Sequence, residues 1–228
     1  MNFDSLIFDL DGTLWNSSDT VAEAWNVALE KAGYDVRITG ADVLKQMGKP
    51  MDAIMRDAFG ETMTKEEAMK FLEILSVEEI NHIEKTGGKL FPQLEETLSL
   101  LKTKYRLFIV SNCQKGYIEA FLKAHGLSDY FEGFMCWGDT QLPKAETNKQ
   151  LIARYNLENP VYIGDTEGDH ISAQGAGIPF VHAAYGFGEV SGCDYRIEKF
   201  SLCLMLAQMV LTWSIRSFFA FCVEVRTA

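Results

Sequence analysis

At 228 residues, 47% hydrophobic and 23% charged, the chain fits one large globular domain, or a domain carrying a modest insertion, and falls outside the disordered class. A formal net charge of −11 tells against a nucleic-acid surface, because binding a phosphate backbone draws on Lys and Arg to displace counterions. It leaves a small phosphorylated metabolite open as a partner, since a bound metal and one lysine reverse the field locally.

Five cysteines (Cys113, Cys136, Cys193, Cys203 and Cys222) form no C-x-x-C pair and are odd in number, which suits a reduced, cytoplasmic protein. Residues 1–10 carry acids and one short apolar run rather than a basic segment before a long apolar one, so no signal peptide is expected.

In chain order, residues 5–10 (SLIFDL) form a short apolar run that stops at turn formers, and read as a buried strand. Residues 17–87 contain no convincing strand. Val21, Ala24, Trp25, Ala28, Leu29 and Ala32 follow helical spacing, with Gly33 as a stop. Pro50 suits the first turn of a helix ended by Gly60. Thr39-x-x-Asp42 and Thr64-x-x-Glu67 resemble capping boxes, the second ahead of a long helix. That helix stacks Ala68, Phe71, Leu72, Leu75, Glu79, Ile80 and Ile83 in one mostly apolar stripe.

Strand-like runs return at 106–110, 161–164 and 180–182, with a weaker one at 133–137. Helical patterns at 116–125 and 146–155 lie between them. The expectation is an α/β fold: a Rossmann-like parallel sheet, residues 1–16 and 88–200, interrupted by an all-helical block at 17–87. The tail, 201–228, is strongly apolar. It reads as a packed or interface helix supporting a homodimer rather than a membrane anchor, which needs roughly 20 mostly apolar residues.

Four short segments carry candidate chemistry. Phe8-Asp9-Leu10-Asp11-Gly12-Thr13 ends the first strand, and a turn at Gly12 aims both carboxylates above the carboxyl end of the sheet, where α/β proteins place ligands. A calcium loop is excluded, because Leu14 and Thr20 stand where its Gly and Glu belong. Ser111 and Asn112 end a second strand, and Lys144 precedes a helix. Gly164-Asp165-Thr166-Glu167-Gly168-Asp169 puts three acids in five residues, which repel one another unless a cation sits among them. Taken singly, the Ser-Asn pair reads as a turn and the lysine as solvated surface.

Together, in this order and at these strand ends, the four segments resemble the haloacid dehalogenase superfamily over about residues 3–200. Ile163-Gly164-Asp165-Thr166-x-x-Asp169, Ala173-Gln174-Gly175-Ala176-Gly177 and Tyr185-Gly186-Phe187-Gly188 are similar to its phosphoglycolate phosphatase-like branch, and the helical block resembles its cap domain. The resemblance implies a magnesium-dependent phosphatase working through an aspartyl phosphate. Asp9 is then the nucleophile and Asp11 the general acid and base. Mg²⁺ is held by Asp9, the Asp11 carbonyl and Asp165; Ser111, Asn112 and Lys144 hold phosphate; Gly12, Thr13 and Asp169 support them. Asp11 sets the chain apart from haloalkanoate-cleaving members, which lack that second acid.

A phosphosugar mutase of the same fold is the alternative, and a non-catalytic regulatory relative is a third. The resemblance also implies a lid hinged near residues 15–18 and 86–89. Glu167, His170 and Lys49 are expected as ordinary surface and Cys113 as a small buried residue, with Trp15 packing the hinge and Trp25 the helical block.

Overall fold

The structure, a computed structural model, describes residues 3–49, Ile54 and residues 64–206. Its strands are β1 (Ser5–Phe8), β2 (Trp15–Asn16), β3 (Lys89–Leu90), β4 (Arg106–Ser111), β5 (Gly133–Cys136), β6 (Pro160–Gly164), β7 (Phe180–Ala183) and β8 (Tyr195–Ile197). Six of them form one parallel sheet in the order β5-β4-β1-β6-β7-β8. The chain runs outward from β1 to β4 and β5, then returns to β6 on the other side, so β1 sits where the strand order reverses.

Period-2 alternation explains why these runs are strands buried on both faces. Leu6, Phe8, Leu107, Ile109, Val161, Ile163 and Val181 face one apolar cluster. Ile7, Phe108, Val110, Tyr162 and Phe180 face the other. Register then fixes the site: Phe8 pairs with Ile109 on one side and Ile163 on the other. One residue further on stands Asp9, and just beyond its neighbours stand Ser111 and Asp165.

The helices are α1 (Ser18–Lys31), α2 (Gly40–Leu44), α3 (Lys65–Thr86), α4 (Leu94–Lys102), α5 (Tyr117–His125), α6 (Trp137–Thr140), α7 (Lys144–Tyr155), α8 (Glu167–Ala176) and α9 (Cys203–Leu206). The first three lie between β2 and β3, which pair antiparallel, Trp15 with Leu90 and Asn16 with Lys89. This two-stranded neck brings the entry and exit of the helical block side by side. Val21, Ala24, Trp25, Ala28 and Leu29 of α1 and Phe71, Leu72, Leu75 and Ile83 of α3 are buried, as their spacing requires. Thr39 caps α2 in the expected reciprocal box with Asp42. α3 begins one residue after Thr64. The helix expected from Pro50 to Gly60 lies outside the described residues apart from Ile54.

Several elements differ from expectation. β7 continues to Ala183, and Trp137 leaves the fifth strand to open a short helix. The neck strands, β8 and α4 escape pattern reading because two- and three-residue strands have no measurable period and α4 offers no side-chain cap. At the tail, Phe200 and Cys203 are buried and α9 packs on α4. The rest of the expected tail helix, from residue 207, lies outside the described residues. Among those described, no helix is long and apolar enough to cross a membrane.

Phe8 anchors this core from the central strand, fully buried, with ring centroids 5.7 Å from Phe200 and 6.4 Å from Phe131. Phe8→Ala should therefore cost about 3–5 kcal/mol of unfolding free energy, read by urea denaturation with circular dichroism. A loss below about 1 kcal/mol would mean the site relaxes freely and β1 is not the packing centre.

Candidate active site

Asp9 follows β1 directly, and its backbone N–H donates to the Ile163 carbonyl at 2.8 Å, extending the sheet by one rung. The chain then reverses tightly: Gly12 N–H donates to Trp15 O (2.9 Å) and Leu14 N–H to Leu10 O (2.9 Å). Gly12 has φ +86°, and a Cβ there would lie 2.1 Å from Asp165 Oδ2. Glycine is thus required twice over, for the left-handed turn and for the close carboxylate.

Lys144 opens α7 as a buried residue, not in the loop expected for it. Its Nζ lies 2.7 Å from Asp9 Oδ1 and 2.7 Å from Asp169 Oδ1, and 5.8 Å from the centroid of the Tyr162 ring. Asp169 reaches Lys144 because it also caps its own helix: Thr166 donates to Oδ2 from its N–H (3.0 Å) and hydroxyl (2.7 Å). The acid at the third position of a capping box is thereby fixed toward the strand ends. Asp165 accepts from Thr13 Oγ1 (3.1 Å) and the Phe187 N–H (2.8 Å). The Tyr185-Gly186-Phe187-Gly188 loop closes over it, with Tyr185 OH donating to Thr13 O at 2.8 Å.

Oxygens of Asp9, Asp165 and Asp169 all lie within 4.8 Å of one another. Burial, with Asp169 and Asp165 adding to it, holds Asp9 well above the usual carboxylate range against the pull of Lys144. Burial, then Asp169, pushes Asp165 up to about 7. Burial alone would depress Lys144, but the carboxylates of Asp169 and Asp9 outweigh it and hold the ammonium well above its ordinary value. With all three carboxylates ionised against one ammonium, two negative charges would stand unmatched in a buried site. An all-oxygen donor set with that imbalance fits a hard divalent cation.

Asp11 turns the other way. Its Oδ1 accepts from Ser17 Oγ (2.6 Å) and Tyr117 OH (3.0 Å), and Tyr117 OH also lies 2.9 Å from Ser17 Oγ. Burial raises its pKa, and these two hydrogen bonds oppose the rise. Ser17 and Tyr117 are site residues that the sequence did not announce, since each reads as an ordinary helix-end residue. Ser111 and Asn112 stand at the end of β4; Ser111 Oγ accepts from Cys113 N–H (3.3 Å), and Asn112 Nδ2 donates to Gly48 O of the helical block (2.9 Å). Asp9, Asp11, Ser111 and Asn112 line a cavity of about 50 Å³, roofed by Trp25, Met47, Gly48 and Glu79.

Glu167 is solvated at the start of α8, as expected. His170 is not surface: it is 6% exposed, its ring stacked 5.2 Å from Phe180, because α8 turns that position toward β7. Lys49 is an exposed residue at the cavity rim with Nζ 3.1 Å from Gln46 Oε1. Cys113 is buried, as expected of a small apolar residue.

Comparison with known proteins agrees with this geometry. The model of the haloacid dehalogenase-like hydrolase family matches residues 6–183. The phosphoglycolate phosphatase of Salmonella typhi is 29% identical over 214 residues, 83% of this chain and 85% of that protein. That of Escherichia coli (strain K12) is 29% identical over 82% of this chain and 83% of its own. A crystal structure from Haemophilus somnus 129pt, described as a predicted phosphoglycolate phosphatase, superposes with TM-score 0.78 at 24% identity, over 91% of this chain and 99% of that one. A haloacid dehalogenase-like family hydrolase from Streptococcus pneumoniae gives 0.75 at 24%, over 90% and 98%. The two structures show the shared fold, and the family match shows the membership: the chain belongs to the haloacid dehalogenase-like hydrolase family, as a hydrolase of phosphoric monoesters.

Proposed function

We propose that the protein hydrolyses a small phosphate monoester by two successive displacements, with Asp9 as nucleophile and Mg²⁺ as the cation. The observation that carries this is the buried Lys144 bridging Asp9 and Asp169 beside Asp165, which leaves a divalent charge to be matched. Asp9, Asp165 and the Asp11 carbonyl would hold Mg²⁺, since both Asp169 oxygens are already engaged by Lys144 and Thr166. When bound, the ion would neutralise phosphoryl oxygens and leave Asp9 anionic.

A carboxylate of Asp9 attacks phosphorus and the ester oxygen departs, giving an aspartyl phosphate that water then hydrolyses. Asp11 delivers a proton to the leaving oxygen and afterwards takes one from water. Ser17 and Tyr117 grip its Oδ1, so the transfer falls to Oδ2. Ser111, Asn112 and Lys144 hold phosphoryl oxygens. The helical block acts as a lid hinged at the β2–β3 neck, excluding bulk water from the phosphoenzyme. The free thiols of Cys113, Cys136, Cys193 and Cys203 suit a reducing, cytoplasmic setting.

Substitution should separate the paired acids. Asp9→Asn keeps the size but loses the nucleophile, so turnover should vanish and no phosphoenzyme should form. Asp11→Asn should slow turnover by roughly 10²–10⁴-fold. With p-nitrophenyl phosphate, whose leaving group needs little protonation, it should give a burst and then an accumulated phosphoenzyme. Acid quench and mass spectrometry locate the phosphate; phosphate on a residue other than Asp9 would refute the assignment.

Chelation should abolish activity, and metal removal should leave a pH signature. An acid whose folded pKa is raised contributes stability below its unfolded value, roughly 3.9, that is lost as pH rises through the folded value. For Asp165 that upper limit is about 7. The chelated protein should thus melt lower at pH 8 than at pH 6, and Mg²⁺ should close the gap. Identical melting temperatures at both pH values, with and without Mg²⁺, would remove Asp165 from the metal site.

A further inference from the structure

The roof of the cavity carries a charge that the phosphoryl chemistry does not use. Glu79, on α3, is 4% exposed and lines the same cavity as Asp9 and Asp11. Its Oε2 accepts from Trp25 Nε1 at 2.6 Å. Beside it stands Gln114, after β4, close enough to lower the Glu79 pKa. Yet the buried Gln114 Nε2 makes no well-formed hydrogen bond. A carboxylate and an amide whose approach to each other falls short of good hydrogen-bond geometry therefore share one corner of the cavity that Asp9 also lines. Buried polar groups without partners are costly, and a ligand that supplies the missing partners recovers that cost on binding.

We propose that Glu79 and Gln114 select the alcohol half of the substrate, accepting phosphate monoesters whose leaving group carries a hydroxyl and rejecting those that carry a carboxylate. This rests on the phosphatase function proposed above and narrows its substrate class. A hydroxyl both donates and accepts, so one group answers Glu79 and Gln114 together. A carboxylate only accepts, and it would meet Glu79 and Asp11 across a small cavity where burial already raises the pKa of both. Burial is the chief reason that Glu79 is pushed up to about 7, with Trp25 and Gln114 holding it down and Asp11 raising it. Among the described residues, Lys49 is the basic residue on the lining, and it sits at the exposed rim with its Nζ 3.1 Å from Gln46 Oε1. The relatives named phosphoglycolate phosphatase thus supply the chemistry, while the roof of this cavity points to a different alcohol.

The test compares kcat/KM for glycerol 3-phosphate, ethyl phosphate and 2-phosphoglycolate at pH 8 with Mg²⁺, where Glu79 is ionised. p-Nitrophenyl phosphate serves as the general readout. Wild-type protein should favour glycerol 3-phosphate over 2-phosphoglycolate by about 10–100-fold, the range expected of a hydrogen bond to a charged group, with ethyl phosphate between them. Glu79→Gln removes the charge at constant size and should shrink that ratio about tenfold. Glu78→Gln, one position away in the exposed pair with Lys31, should leave the ratio at the wild-type value. Should Glu79→Gln fail to fold, the wild-type ranking alone decides. Preference for 2-phosphoglycolate, or a ratio untouched by Glu79→Gln, overturns the assignment of Glu79 while p-nitrophenyl phosphate turnover leaves the phosphatase standing. Absence of that turnover in wild type overturns both.

Discussion

The arrangement depends first on a single buried ammonium. Lys144 stands between Asp9 and Asp169 at 2.7 Å from each, and all three side chains are buried. A charge there is tolerable only when paired, and removing one partner of such a group typically costs about 3–5 kcal/mol because the other charge is stranded. The constraint propagates outward. α7 must deliver Lys144 from its first residue, and α8 must start where Asp169 can cap it. The two helices then pack closely: a Cβ at Gly175 of α8 would lie 2.9 Å from Ala145 Cβ, and Asn148 Nδ2 donates to Ser172 Oγ at 3.0 Å. The helices that bring Lys144 and Asp169 together are thus closely spaced on one face of the sheet.

A second constraint concerns room. Gly186 admits no side chain, because a Cβ there would lie 2.3 Å from Asp165 Cβ and 2.4 Å from Gly12 O. With Gly12 on the other side, backbone encloses Asp165 so that its oxygens face Thr13, Phe187 and the neighbouring carboxylates. The neck works in the same way. Gly88 lets the chain pass beside the Trp15 ring, where a Cβ would lie 2.6 Å from Cε3. Trp15 in turn packs on Tyr117, Phe121 and His125 of α5. The β2–β3 neck is therefore built against the same helix whose Tyr117 holds Asp11.

What the sequence made legible follows from period and spacing. The parallel sheet was readable because strands buried on both faces give continuous apolar runs, and β1, β4 and β6 are such runs. The helical insertion was readable because α1 and α3 keep a clean stripe. Asp9, Ser111, Lys144, Asp165 and Asp169 were legible only as a set, each being unremarkable alone. What stayed hidden is what depends on tertiary approach. Ser17 and Tyr117 meet Asp11 through a packing of α1's start against α5 that no local pattern encodes. His170 looked like surface because it follows two acids at a helix start, yet the helix turns it onto Phe180.

Glu79 shows the limit from the other side. In the sequence it interrupts a stripe that is otherwise apolar, running Phe71, Leu72, Leu75 and then Ile80 and Ile83, the kind of local conflict that costs stability unless something offsets it. Packing alone would favour Leu at that position. The offsets visible in the structure are a strong hydrogen bond from Trp25, which orients the carboxylate, and the nearby Gln114 amide, neither of which brings a positive charge. Trp25 belongs to α1 and Glu79 to α3, so the bond also ties the two long helices of the helical block together beside the cavity. A residue that breaks its own helix's pattern, is steered by a neighbour and lines the same cavity as Asp9 is placed as a recognition group is placed. The stability it forgoes is the reason to look for its function in what the cavity admits.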